Sequence, residues 1–499
     1  MDYQLLFNTF AALPEHTSWS RQRQLHTCLR NAIRNGTLAC GTRLPASRTL
    51  ALELGISRNT VLYAYDQLAT EGFILPDRRG TVVASLGAVV PPGGLVAPLR
   101  TGLSRRTQGL PALPGSDMSV AFAPGVPSLG DFPVTLWRRL LDRTWRSLKP
   151  AQLNYAAPAG ELPLRTAIAD HLRVARGALV ESAQVFITDG TQSSLDLCAR
   201  AFADPGDKVW MENPGYQGAL AAFRAAQLKP VGIVVDAEGL APVASDWLRH
   251  RPKLVYVTPS HQYPVGSVLS LARRMALIAQ ARNAAALIIE DDYDSEFRHD
   301  GPPLSCMQGL APDAPVLYLG TFSKTMFPGL RIGFMVVPAA LVAPLEALLA
   351  RAAPRGRTAD QLALAEFMQK GHFSLHLRRM RRLYRQRRDA LVAALERHLG
   401  DIATVHGGSA GMHLALRLHD GVADDVQLSA QLLGLGIMAP ALSLHAVGTR
   451  VQPWRGFVLG YAQVPVEAME ALVTTLAAVV RGGGPQAEPP QAPAQANNG

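Results

Sequence analysis

A lysine and an arginine seven positions apart, set among small hydroxyl residues, are the groups in this chain best suited to covalent chemistry. They lie in Tyr318-Leu-Gly-Thr-Phe-Ser-Lys-Thr-Met-Phe-Pro-Gly-Leu-Arg-Ile-Gly-Phe334. The apolar run Val316, Leu317, Tyr318, Leu319 reads as a buried strand that opens into a loop with Gly320, Thr321 and Ser323. The loop delivers Lys324 and reaches Arg331 past a Pro328-Gly329 turn that no helix would continue through. Hydroxyls, an amine and a guanidinium converging at a strand end suit a phosphorylated cofactor whose aldehyde forms a Schiff base with the amine. A lysine in a glycine loop is more commonly a solvated surface residue, so the rest of the chain has to supply the other parts of such a site.

Three stretches offer those parts. Gly190-Thr-Gln-Ser-Ser194 follows a strand ending at Thr188 and opens a helix, so its backbone N–H groups form an anion site to which Thr191 and Gln192 add side-chain donors. Capped strand-to-helix turns are common, and this one decides nothing alone. Asn213-Pro-Gly-Tyr216 presents an aromatic face on which a pyridine ring could stack, although an aromatic in a turn more often packs. Glu290-Asp-Asp-Tyr-Asp-Ser-Glu-Phe-Arg298 crowds carboxylates at the end of another strand. Mutual repulsion predicts that at least one meets a cation while others turn outward. A pyridinium nitrogen is such a cation, with Asp291 as its partner and Tyr293 at the ring's phenolic oxygen. A divalent metal is the other reading of an acidic cluster, and Lys324 with Arg331 make it the poorer one.

The elements that must position these groups are short β-branched strands alternating with amphipathic helices from about residue 118 to 482, the pattern of a parallel α/β sheet with functional loops at its carboxyl ends. Residues 15–85 have a different logic. Leu25, Cys28, Leu29, Ala32 and Ile33 recur at helical spacing; a second helix follows Pro45, and Ser57 caps a third with Val61, Tyr65 and Leu68 on one face. Two β-prone runs flanking Asp77-Arg-Arg-Gly80 complete a winged helix-turn-helix, an α+β unit whose third helix enters the major groove of double-stranded DNA. Ser57, Arg58, Asn59 and Thr60 stand where base edges and phosphates are read, with Arg48 and the wing's Arg79 in reach of the backbone or minor groove.

Between the units, residues 86–117 are rich in Pro and Gly without periodicity and read as a tether; residues 483–499 are Pro/Ala/Gln-rich and are expected to be disordered. Arg378-Arg-Met-Arg-Arg-Leu-Tyr-Arg-Gln-Arg-Arg388 carries Leu377, Met380, Leu383 and Tyr384 on one helical stripe, a structural helix with solvated arginines. A chain of 499 residues needs more than one core, and its +10 formal charge is compatible with a polyanionic partner. Four scattered cysteines lack ligand spacing, so no structural zinc is expected. Without a membrane-length apolar run or a signal-peptide pattern, the expected location is the cytoplasm.

The lysine loop resembles that of fold-type I pyridoxal 5'-phosphate (PLP) enzymes, and the α/β unit resembles their aminotransferases. This resemblance implies phosphate contacts from Gly190, Thr191, Gln192, Thr321, Ser323 and Arg331, stacking by Tyr216, nitrogen and phenolate partners in Asp291 and Tyr293, and Lys324 as the Schiff-base lysine. Tyr155, in Asn-Tyr-x-x-Pro-x-Gly, resembles the tyrosine that reaches the neighbouring subunit's cofactor. The loop Thr258-Pro-Ser-His-Gln-Tyr-Pro-Val-Gly266 lacks the usual asparagine, leaving His261 and Gln262 as candidates for the cofactor's edge. The head resembles the GntR-type winged helix through Gly-Thr-Arg-Leu-Pro-x-Ser-Arg and Leu-Gly-x-Ser-Arg-Asn-Thr-Val. Together the two resemble the MocR subgroup of bacterial transcription regulators, implying a head-to-tail, domain-swapped homodimer that senses a small effector. One position departs from the pattern: Leu444 stands where an arginine for a substrate carboxylate is expected. That leaves room for PLP itself as effector and weakens the alternative, a working aminotransferase with a DNA-binding appendage.

Overall fold

The computed structural model describes residues 1–77, 80–85, 104, 106, 120–301, 303–352, 356–419, 424–448 and 454–482. The chain divides into two compact units, Met1–Gly102 and Leu103–Gly499. Most of the predicted tether and all of the predicted disordered tail lie outside the described residues.

In the first unit, helices α1 (Tyr3–Ala11), α2 (Arg21–Arg34), α3 (Ser47–Leu54) and α4 (Arg58–Thr70) accompany strands β1 (Arg43–Leu44), β2 (Ile74–Asp77) and β3 (Gly80–Val83). Leu25, Leu29, Leu50, Val61, Leu68 and Ile74 form its core at almost no exposure, which is why helical spacing in the sequence located these helices. The strands pair antiparallel in the order β1-β3-β2, and Asp77 faces Gly80 across the wing. Helix α1 was not foreseen. It buries Tyr3 and Phe7, and the Tyr3 amide donates to Glu53 Oε1 at 3.1 Å, so this unit reaches further toward the N-terminus than residue 15.

The second unit is built on β4 (Val185–Thr188), β5 (Lys208–Asn213), β6 (Lys229–Asp236), β7 (Gly239–Leu240), β8 (Leu254–Val257), β9 (Leu287–Asp292), β10 (Val316–Thr321) and β11 (Gly333–Val336). They form one sheet in the order β4-β11-β10-β9-β8-β5-β6-β7. Alternate residues serve opposite faces: Met211, Tyr256, Ile289 and Leu317 pack into one core, Trp210, Val255, Ile288 and Val316 into another. The sheet is mixed where an all-parallel one was expected, because β10 turns straight back through the Lys324 loop into β11, which pairs antiparallel with both β10 and β4. The carboxyl ends of β4, β5, β8, β9 and β10 carry the Gly190, Asn213, Thr258, Glu290 and Lys324 loops singled out in the sequence.

A 28-residue helix, His372–Leu399, leads to a second antiparallel sheet of β12 (Ala403–His406), β13 (His413–Leu418) and β14 (Gly456–Gly460). Its apolar stripe is buried as expected at Leu377, Met380 and Tyr384. Several of its arginines are tied to the protein and not merely solvated: Arg379 pairs with Asp131, Arg381 with Glu296 and Arg388 with Asp300.

Candidate functional site

The loop after β10 presents Lys324 partly buried, its Nζ donating to the carbonyl of Gly125 at 2.7 Å. Gly125 has φ +72°, and a Cβ there would lie 2.6 Å from Nζ, so only glycine leaves room for the amine. Burial lowers the Lys324 pKa, opposed by Asp294 and Asp291 and reinforced by Arg331. Asp291 is the penultimate residue of the central strand β9. Tyr256 donates to its Oδ2 at 2.8 Å, while Oδ1 is buried with no hydrogen-bond partner among the described residues. Burial pushes the Asp291 carboxyl up to about 7, with the Tyr256 hydrogen bond and the Lys324 charge opposing. Lysine and carboxylate thus act on each other within one cleft.

An anion cradle adjoins them. Gly190 is the N-cap of helix Thr191–Phe202, which has no side-chain cap, so the first amides keep their donor capacity. The Thr191 hydroxyl is buried without a partner among the described residues, and the Arg331 guanidinium lies 3.5 Å from where a Gly190 Cβ would be. Arg331 sits in the left-handed region at φ +49°, its carbonyl receiving Arg357 Nη1 at 2.6 Å. Thr321 Oγ1 accepts the Ser323 amide at 3.1 Å. Gln192 Nε2 gives one of its two protons to the Gly218 carbonyl at 2.9 Å. The Tyr216 ring lies over Gly218 and meets Tyr263 edge-on at 5.5 Å, and burial raises its hydroxyl to about 12.

The carboxylate cluster does not turn outward. Asp292 pairs with Arg176 at 2.7 Å, both side chains 3% exposed, and also accepts from Tyr318. Glu290 accepts the amides of Met307 and Gln308, and Asp294 faces His261 Nδ1 at 3.1 Å. Buried partners offset the repulsion that suggested solvent, and Arg176 and His261 come from sequence too distant for spacing to flag. The half-buried Tyr293 gives its hydroxyl proton to the His261 carbonyl at 2.9 Å. Gln262 is fully engaged by Glu212 and the carbonyls of Pro214 and Tyr263, so it braces the loop. Tyr155 stands 87% exposed, outside the Lys324 cleft of its own chain. Leu444 is 59% exposed, and its neighbour His445 is buried, with burial lowering its pKa to about 4. Gly125, Tyr256 and Arg176 were missed by sequence reasoning; Gly125 alone left a trace, as a glycine in Pro124-Gly-Val-Pro127.

On the head, Arg48, Arg58 and Asn59 are exposed, and Ser57 Oγ accepts the Thr60 amide at 3.2 Å as the cap of α4. Thr60 is turned inward, its hydroxyl 2.8 Å from that of Ser57. Tyr63, unforeseen, is 46% exposed on the same helix. Arg79 lies outside the described residues.

Residues 21–83 match the model of bacterial regulatory proteins of the gntR family, and residues 125–454 match that of aminotransferase class I and II. The chain is 38% identical over 481 residues to the probable rhizopine catabolism regulatory protein MocR of Rhizobium meliloti, covering 95% of each. The chain belongs to the MocR-type regulators of the GntR family. A further relative is the pyridoxine biosynthesis transcriptional regulator PdxR of Corynebacterium glutamicum, 34% identical over 90% of this chain and 94% of its own length. Among solved structures, the aminotransferase LysN of Thermus thermophilus, complexed with N-(5'-phosphopyridoxyl)-L-leucine, matches with TM-score 0.65 and 28% identity over 73% of this chain and 92% of that one. This MocR-type chain is a transcriptional regulator with a GntR head and a fold-type I aminotransferase body. No helix among the described residues is long and apolar enough to cross a membrane.

Proposed function

We propose that the body of this regulator holds PLP covalently through Lys324, senses a small effector there, and alters how two heads engage operator DNA. One observation carries the reading: Asp291 Oδ1 is a buried carboxylate oxygen without a partner among the described residues, in the cleft of a partly buried lysine, and a protonated ring nitrogen is the group that would complete it. The amides of Thr191 and Gln192, the Thr191 hydroxyl, Ser323 and Arg331 fit the phosphate, and Tyr216 fits the ring face. When bound, PLP supplies an aldehyde reactive toward amines and a ring that withdraws electrons. Tyr293 would serve the phenolic oxygen by exchanging its bond to His261.

The exposed Tyr155 is offered to a partner subunit in a domain-swapped homodimer, which also pairs two heads for two half-sites. Arg48, Arg58 and Asn59 make the DNA contacts, with Arg79 on the wing, and regulation takes place in the cytoplasm. Leu444 in place of a cation disfavours an amino-acid effector and sustained transamination. The intact Lys324 and Asp291 favour the competing enzyme reading. The test is absorbance of the purified protein: a lysine-bound PLP chromophore, lost in Lys324→Ala, with no multiple turnover across an amino-acid panel. Operator affinity with and without PLP, at stated salt, completes it; a colourless protein overturns the cofactor reading, and sustained turnover the sensor reading.

A further inference from the structure

We propose that His261, Asp294 and His413 form a second ligand site beside the Lys324 cleft, one that takes a divalent transition ion of the zinc class. All three are at most 2% exposed, and one ligand atom from each lies within 4.8 Å of the others. They come from the loop after β8, the turn after β9 and the start of β13, segments more than a hundred residues apart at the extremes, so no sequence spacing announces them.

The hydrogen bonds point to metal-type histidines. His413 Nε2 lies 3.3 Å from the carbonyl of Pro264, and His261 Nε2 lies 3.3 Å from that of Gly407. With the proton on the nitrogen that faces the carbonyl, each ring keeps the Nδ1 lone pair for a ligand. Metal-bound histidines divide their nitrogens this way, with a backbone carbonyl orienting the ring from behind.

His261 Nδ1 then faces both carboxylate oxygens of Asp294 at 3.1 and 3.2 Å. A lone pair and a carboxylate at that distance need positive charge between them, from a proton or an ion. The Tyr293 hydroxyl, 3.2 Å from Nδ1, gives its own proton to the His261 carbonyl. His413 approaches the same point, its ring centroid 4.8 Å from that of His261. Gly411 makes the room: at φ +83°, a Cβ there would lie 2.2 Å from the His261 ring and 2.4 Å from Asp294 Oδ2.

Two nitrogens and a carboxylate oxygen suit zinc, cobalt or nickel and leave a position for water or an effector atom. Metal–ligand bonds of about 2.0–2.1 Å place tetrahedral ligands about 3.3–3.4 Å apart, so the widest pair must close on binding. Such an ion would tie the loops of the large sheet to β13. It would also offset Asp294, the neighbour that does most to keep a proton on Lys324. The site stands without the cofactor reading.

The full-length protein, stripped with a chelator and dialysed against Zn2+, is expected to retain one ion per chain, and its Co2+ form to show visible bands of low-coordinate cobalt. Lys324→Ala should retain the ion equally, which separates this site from PLP binding. His413→Ala should weaken binding at least ~100-fold, more than loss of a supporting residue would. Should His413→Ala not fold, zinc X-ray absorption of the unaltered protein takes over, with two imidazole nitrogens at about 2.0–2.1 Å expected. Absence of a stoichiometric ion, unchanged affinity in His413→Ala, or a zinc shell without two imidazoles overturns the proposal; His261 and Asp294 then share only a proton.

Discussion

Replacing Asp291 by asparagine tests the central carboxylate without disturbing its shape. In the cofactor-free chain the carboxyl is raised from 3.8 to about 7, chiefly by burial. An acid raised in the folded state binds its proton more tightly there than in the unfolded chain. Its contribution therefore favours folding at low pH and is lost as pH rises from the unfolded value to the folded one. At 1.36 kcal/mol per pKa unit, the loss between pH 5.5 and pH 8 is about 2 kcal/mol for this group. Glu212 and Glu290, also raised to about 7 by burial, add a similar slope that persists in the variant. Asparagine keeps an oxygen for Tyr256 and carries no charge. Urea melts at the two pH values, without PLP, should show Asp291→Asn losing about 2 kcal/mol less than the unaltered protein. With PLP added at pH 8 the order should reverse, because only the carboxylate is relieved by a ring cation. Equal slopes in the two proteins, or no loss of PLP stabilisation in the variant, would refute the argument.

Gly125→Ala puts a methyl group 2.6 Å from Lys324 Nζ at φ +72°; it should cost about 1 kcal/mol or more in a melt and sharply reduce covalent PLP retention measured by absorbance. Arg176→Ala strands Asp292 in the interior and should destabilise the body by about 3–5 kcal/mol in a urea melt. Arg58→Ala should weaken operator binding and reduce the slope of log affinity against log salt by about 1, as measured by fluorescence anisotropy.

The head was legible because its helices are amphipathic and its turns are marked by Gly55, Ser57 and the Asp77–Gly80 wing; α1 was missed because a short segment such as Tyr3–Ala11 contributes only Tyr3 and Phe7 to the core. Lys324, Arg331, Asp291 and the Gly190 loop declared themselves by following apolar runs that proved to be strands. Partners from remote sequence did not. Tyr256 reads as one more apolar strand residue until its hydroxyl is seen on Asp291, and Arg176 as a helix-end arginine until it is found beneath β9. Periodicity reports which face of an element is buried, not which buried polar atoms meet. For the same reason spacing did not show that Thr60 turns inward to Ser57 or that Gln192 donates to the Gly218 carbonyl.

The Lys324 loop leaves the sheet at Thr321 and returns at Gly333, residues that face each other across β10 and β11. Amine and guanidinium are thus fastened to one buckle, clasped at its base by interstrand pairing, and neither can wander while the other stays. A single-residue insertion between them would spoil the spacing of both grips at once, whereas the same insertion in a surface turn would pass unnoticed. Chemistry in this body is either kept whole or lost whole.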